Sequence, residues 1–244
     1  MKRILAIDTS SAWCSVALSL GEVEPAFRHQ PVAAGASQLL LPWIEELLQE
    51  SKLAMTDLDA IAIDIGPGAF TGVRLGVAAV QGLALAANLL VIPVVSLDAI
   101  AMELLSSPGF QKIQPSQFVV AIDARMEEIY WAKYQYSSSD KVPQRLGHIH
   151  LSSPEEIDLE DTQYLAGSAI QAYGNRLFTH HQLPVDRLDM DIGVSALGVL
   201  SCAIPALLNG KQISVQELEP LYVRNKVALT TEEREQIFKK NAQQ

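Results

Sequence analysis

The triplet Ala-Ile-Asp occurs twice, at residues 6–8 and 121–123, and each copy has an alanine nine residues after its aspartate, Ala17 and Ala132. Each copy opens the same pattern: an apolar strand, a short turn and a second apolar strand. A unit repeated about half a chain length apart predicts duplication, with two lobes on one plan. The 244 residues fit one large domain or two small ones sharing a face. The expected boundaries are residues 1–108 for the first lobe, 117–230 for the second, and 231–244 for a charged, flexible tail.

The first lobe reads as strands over residues 3–8, 14–20 and to about 30, then a helix over 36–51. That helix carries apolar residues at 39, 40, 43, 44, 47 and 48, the spacing of one broad stripe. Pro42 is expected near its first turn, and Ser37 is available to cap it. A strand over 60–65, a helix over 70–87, a strand over 90–95 and a helix running to Leu105 with Ser96 as its cap follow. Alternating strands and helices predict a mainly parallel sheet with crossover helices. Residues 108–115 read as a turn region between the lobes; in the second lobe, residues 136–144 read as a polar loop, 164–166 as a strand, and 169–178 and 194–208 as helices.

With 49% hydrophobic and 19% charged residues, the composition supports a sizeable core and argues against global disorder. The four apolar residues before Asp8 are too few for a signal-peptide core. The stretch from residue 75 to 97 is interrupted by Gln81, Asn88 and Pro93, so it reads as helix, turn and buried strand instead of a membrane span. The expectation is a cytoplasmic protein without a membrane partner. Cys14 and Cys202 are far apart and read as separate thiols in a reducing compartment. A net charge of −10 repels phosphate backbones, so any nucleic acid contact is expected to be local or supplied through a partner.

Two segments invite an anion or nucleotide reading. Asp8, Thr9 and Ser10 form a small polar turn at a strand end, where hydroxyls and backbone N–H groups could hold phosphate, or could equally cap the strand. Residues 66–76, GPGAFTGVRLG, run from a strand into a helix, with Arg74 as the nearby cation. The spacing is GxGxxxG instead of GxGxxG, and no Lys-Ser or Lys-Thr follows, so neither a dinucleotide fingerprint nor a Walker loop fits. Gly72, Gly76 and Ala79 form a small-residue stripe, which favours close backbone packing over phosphate binding. His29, His148, His150, His180 and His181 make no HxxxH or HExxH arrangement, and no metal site is expected. No GxSxG elbow exists, and Asp123, Arg125, Glu127 and Glu128 read as a charged turn. No catalytic constellation emerges.

Four segments together, ILAIDTSSAWCSVAL, GPGAFTGVRLGVAAVQGLALA, IDARMEEIYWAKY and PLYVRNKVA, resemble the TsaB (YeaZ) family of tRNA threonylcarbamoyladenosine biosynthesis, over residues 4 to about 228. The resemblance implies a duplicated, two-lobed actin-like ATPase (ASKHA, ribonuclease H-like) α/β fold. It implies a non-catalytic scaffold that pairs with TsaD and is joined by TsaE with ATP. TsaD then transfers threonylcarbamoyl to adenosine 37 of tRNAs reading ANN codons. On this reading the subunit alone binds no cofactor, ATP and a metal serve the wider complex, tRNA is met through the complex, and the chain forms a homodimer in isolation.

The resemblance also places the TsaD contact on the first two helices. The residues expected there are Leu40, Trp43, Ile44 and Leu47, with Phe70, Gly72, Val73, Gly76, Val77 and Val80. Many family members carry a histidine followed by Ser or Thr before the first helix. This chain has Ala34-Gly35-Ala36-Ser37, so a role tied to that histidine does not transfer. The competing readings are a stand-alone actin-like kinase or ATPase with Asp8, Asp64 and Asp123 around a cleft, and a peptidase acting on its partner.

Overall fold

The structure is a computed structural model and describes residues 2–21, 23–32, 35–140 and 142–223. The expected flexible tail and Ala34 lie outside the described residues.

The first sheet contains β1 (Ile4–Asp8), β2 (Trp13–Ser19), β3 (Ala26–Pro31), β4 (Ala60–Asp64) and β5 (Val91–Val94), in the order β3-β2-β1-β4-β5. β1, β2 and β3 form an antiparallel meander, whereas β4 and β5 run parallel to β1. The second sheet contains β6 (Gln117–Arg125), β7 (Glu128–Gln135), β8 (Gln144–Ser152), β9 (Leu165–Ala166) and β10 (Leu188–Asp189). Its order, β8-β7-β6-β9-β10, has the same mixture of antiparallel and parallel pairs. Two copies of one topology make the two-lobed actin-like fold, as the duplication predicts.

The letters of the repeat, however, are one residue out of register. Ala6 pairs with Ala17, whereas Ala132 pairs with Val120, the residue before the second Ala-Ile-Asp. In a strand, one residue of slip exchanges the two faces. Ile4 and Ala6 join the core between the lobes, and Asp8 follows on that face. Val119 and Ala121 join the outer core of the second lobe, so Asp123 faces outward with them. The structural counterpart of Asp8 is therefore Ile122, which packs against the core between the lobes.

Both faces of the first sheet are covered, which is why all five residues of β1 and of β4 are buried. One face takes α1 (Ala36–Glu50) and α2 (Phe70–Ala87) over Leu5, Ile7, Val16, Leu18, Ile61 and Ile63. The other is paved with Ala6, Ala17, Ala60 and Ala62, small enough for α6 (Ala196–Leu208) to lie close. α3 (Ser96–Leu104) packs against α6 between the lobes. At their crossing a β-carbon on Gly198 would meet the Ala99 carbonyl at 2.6 Å.

Several local readings are corrected. Ser37 does not cap α1: Gly35 is the N-cap residue, and no side-chain cap bond forms. Pro42 falls in the second turn of α1, on its exposed side. Ser96 is inside α3, with Val95 as N-cap, because its hydroxyl is committed to Asp64. Ser195 caps α6 by accepting from the N–H groups of Leu197 and Gly198. The region after residue 107 contains α4 (Pro108–Ile113), and the expected helix over 169–178 is α5 (Ala169–Tyr173) followed by a 3-10 turn starting at Gly174, whose φ is +52°.

The chain returns to the first lobe after α6. Val91 and Ile213 exchange two backbone hydrogen bonds, Leu221 N–H donates to the Ile65 carbonyl, and Leu218 is buried in the first lobe's outer core. Gln81 of α2 donates to the Leu218 carbonyl at 3.0 Å. Residues 213–222 thus form a strap along α2.

Candidate functional site

Ile7 pairs with Ile63 on adjacent parallel strands, so Asp8 and Asp64 follow side by side at the strand ends, with 0% and 1% exposure. Each turns back on its own chain. Asp8 Oδ1 accepts the Ser10 N–H at 2.8 Å, and Asp64 Oδ1 accepts the Gly66 N–H at 2.8 Å. The Ser96 hydroxyl also donates to Asp64, 2.7 Å and 2.8 Å from its two oxygens. Among the described residues, Asp8 Oδ2 and Ser10 Oγ are buried without a hydrogen bond of ordinary geometry, although Ser10 lies beside both carboxyls.

Burial, and next the charge of Asp64, hold the Asp8 carboxyl well above the ordinary carboxylate range. Burial raises Asp64 too, against the opposing polar contacts with Ser10, Gly66, Ser96 and Asp8. Asp64 has the donors that stabilise a carboxylate, and Asp8 is the member that retains its proton.

The glycine-rich segment closes over this pair. Ala69 N–H donates to the Ser10 carbonyl at 2.6 Å, and the Thr9 hydroxyl donates to the Gly72 carbonyl at 2.7 Å. Gly68 and Gly72 leave no space for a β-carbon against the Ser10 and Thr9 carbonyls. A β-carbon on Gly76 would meet Thr9 Oγ1 at 2.7 Å and Ile63 Cδ1 at 2.9 Å. The stripe is therefore a close-packing device, as its spacing suggests, but the backbone it admits is this chain's own β1–β2 turn.

The four residues considered for an anion do not converge on an open site. Thr9 and Ser10 are 2% and 3% exposed beside two carboxyl groups. Arg74 is on the outside of α2, its guanidinium 3.6 Å above the Phe70 ring. Asp123 is bound by the Tyr173 hydroxyl at 2.8 Å and paired with Arg125 at 3.1 Å, on the outer face of the second lobe. His150 stacks on Trp131 at 4.3 Å. Among the described residues no three His, Cys, Asp or Glu side chains group to hold a metal ion.

The helix face expected to meet a partner divides at the level of side chains. Leu40, Ile44 and Leu47 of α1, and Val73, Gly76, Val77 and Val80 of α2, are buried in the chain's own core. In this chain these seven cover their own sheet, as the apolar stripe of each helix must, and Ile44 also borders the groove beside α1. Trp43 is partly buried against that core, Gly72 lies on Thr9, and Phe70 is 46% exposed. The outward apolar residues are Leu41, 52% exposed, and Leu85, 66% exposed. A groove of about 350 Å³ beside α1 is lined by Leu41, Ile44, Glu45, Leu48 and Gln49 of that helix, by Leu53, Ala54 and Met55 of the segment after it, and by Leu83 of α2. The available signal was surplus: Leu41 and Leu85 lie outside the stripes that satisfy the sheet.

α2 has the length and apolar composition of a membrane span. Here its inner side covers β4, while Arg74 and Gln81 on its flank bond to the strap.

Residues 31–233 match the family model "TsaD: tRNA N6-adenosine threonylcarbamoyltransferase". Among curated proteins, the tRNA threonylcarbamoyladenosine biosynthesis protein TsaB of Haemophilus influenzae is 34% identical over 236 residues, 92% of this chain and 94% of that one. The Escherichia coli protein of the same name is 35% identical over 242 residues, 93% and 96% of the two chains. The solved structure of YeaZ from Pseudomonas aeruginosa superposes with a TM-score of 0.78 at 32% identity, covering 91% of this chain and all of that one. Near-complete coverage in sequence and in structure leads to one conclusion: the chain belongs to the TsaB (YeaZ) family, which is involved in tRNA threonylcarbamoyladenosine biosynthesis.

Proposed function

We propose that this chain is a non-catalytic, cytoplasmic subunit that pairs with TsaD through the outer faces of α1 and α2. In this reading TsaD carries out threonylcarbamoyl transfer to adenosine 37 of tRNAs reading ANN codons, and TsaE with ATP joins the assembly. The single observation that carries the proposal is the position of the free apolar surface. Leu41 and Leu85 are exposed on the two helices that the family resemblance assigns to TsaD, and the groove lined mainly by α1 and the segment after it reaches Leu83 on the α1-facing flank of α2. An aliphatic groove flanked by exposed leucines suits a helix–helix contact. Without TsaD, the same face offers a homodimer contact.

Closure of the Asp8–Asp64 pair under the glycine-rich segment also supports an accessory role. An isolated ATPase or kinase would need that strand end open to a nucleotide. The testing experiment is co-purification with TsaD, followed by a tRNA modification assay omitting each component in turn. The expected result is a stable heterodimer and no modification without this chain. Failure to associate, or full modification without it, overturns the proposal. Calorimetry of the isolated chain with ATP and magnesium tests the stand-alone enzyme reading, which requires binding without a partner.

A further inference from the structure

The outward surface of α2 carries a cation that this chain holds with aromatic rings. Arg74 is exposed, with its guanidinium 3.6 Å above the Phe70 ring and 5.5 Å from the Tyr222 ring centroid. Its Nε donates to the Tyr222 hydroxyl at 2.9 Å. Phe70 and Tyr222 are themselves 46% and 50% exposed, their centroids 6.4 Å apart. Arg28, Arg145 and Arg176 all take carboxylate partners. Arg74 forms no ion pair among the described residues, on a chain of net charge −10.

The geometry fixes the guanidinium plane while using only its Nε donor. Among the described residues the two terminal nitrogens donate to no other group, and the Tyr222 hydroxyl, which accepts from Nε, has a hydrogen to donate. Guanidinium donors in a rigid fork suit a carboxylate or a phosphate bidentately. A phosphate backbone is gripped by several cations together, and Arg74 is a single cation on an acidic protein. Phe70 and Arg74 are also successive-turn neighbours on the helix that carries Leu85, so a protein surface covering this helix covers the fork. We infer that Arg74, held by Phe70 and Tyr222, is a docking point for a carboxylate of the partner protein on α2. This rests on the pairing proposed above and names the chemistry of one contact within it.

The test is the dissociation constant of the heterodimer formed by the full chain and TsaD, at low and high salt, for wild type, Arg74→Met, Arg74→Lys and Tyr222→Phe. Thermal melts of each variant first establish that the fold is kept. Arg74→Met is expected to weaken binding about tenfold at low salt and to flatten the salt dependence. Arg74→Lys should recover only part of the loss, because it keeps charge without the stacked fork. Tyr222→Phe should give a smaller loss. Wild-type affinity and salt dependence in Arg74→Met overturn the inference while leaving the pairing intact. An unchanged heterodimer whose tRNA affinity falls assigns the fork to phosphate and also overturns it. If the wild-type chain does not bind TsaD, the pairing itself fails.

Discussion

Gly72 lies against the carbonyl of Thr9 with no room for a β-carbon between them, and the Thr9 hydroxyl donates a 2.7 Å hydrogen bond to the Gly72 carbonyl. This contact binds the start of α2 to the β1–β2 turn and keeps the Asp8–Asp64 pair covered. Alanine normally stabilises a helix interior relative to glycine, but at Gly72 the contact reverses the sign. Gly72→Ala should cost about 1–3 kcal/mol through overpacking. Gly82, in the same helix, has nothing within 4 Å of an added β-carbon, and Gly82→Ala should gain about 0.5–1 kcal/mol. Chemical denaturation of the two variants side by side checks this; equal effects would contradict the packing argument.

The covered carboxyl pair sets a pH dependence. Asp8 and Asp64 are both held above their ordinary value of 3.8, so the native state binds more protons than the unfolded chain. Stability therefore falls as pH rises from 3.8 through the folded pKa values. Asp8→Asn removes the ionisation of the more strongly shifted member. Its melting temperature should exceed that of wild type by a margin that grows with pH, and its stability–pH curve should be shallower. A margin that shrinks with rising pH would contradict this assignment.

Ser96 is the complementary case. Its hydroxyl lies 2.7 Å and 2.8 Å from the two Asp64 oxygens. Removing it leaves the buried carboxylate with the Gly66 N–H and its contacts with Ser10 and the Asp8 carboxyl among the described residues. Ser96→Ala should cost about 1–3 kcal/mol, with a larger loss at high pH, where Asp64 is ionised. Thermal melts across a pH series measure both the size and the trend.

The two sides of α1 separate folding from association. Leu47 is fully buried, and Leu47→Ala should destabilise the chain by about 2–5 kcal/mol. Leu41 is 52% exposed, and Leu41→Asp should change monomer stability by about 0.5 kcal/mol or less. The same substitution should weaken the TsaD heterodimer, measured by calorimetry on the two purified proteins. If Leu41→Asp binds normally, α1 does not contribute the contact.

The duplicated topology and most strands of the first lobe were legible, because alternating apolar runs and turns report directly on local structure. The functional meaning of the repeat was not. Asp8 and Asp123 match as letters, yet strand pairing places Ile122 at the Asp8 position, and register depends on contacts that no local pattern encodes. The glycine stripe was readable as close packing, but its neighbour, Thr9, lies 63 residues away from Gly72 along the chain. Leu40 and Leu41 are adjacent and equally apolar; only the sheet beneath α1 decides which is buried. The Arg74–Tyr222 contact joins residues 148 positions apart; PLYVRNKVA carries the family resemblance, but nothing in its spacing links Tyr222 to Arg74.

The central claim is that this chain acts by association, with its strand-end carboxyl pair buried as structure. It is tested most directly by reconstituting tRNA modification from purified components and supplying this subunit as Asp8→Asn or as Leu41→Asp/Leu85→Asp. The expected result is a wild-type rate with Asp8→Asn and loss of modification with the double variant, in step with loss of the heterodimer. Loss of modification by Asp8→Asn while it still forms a full-affinity heterodimer would contradict it.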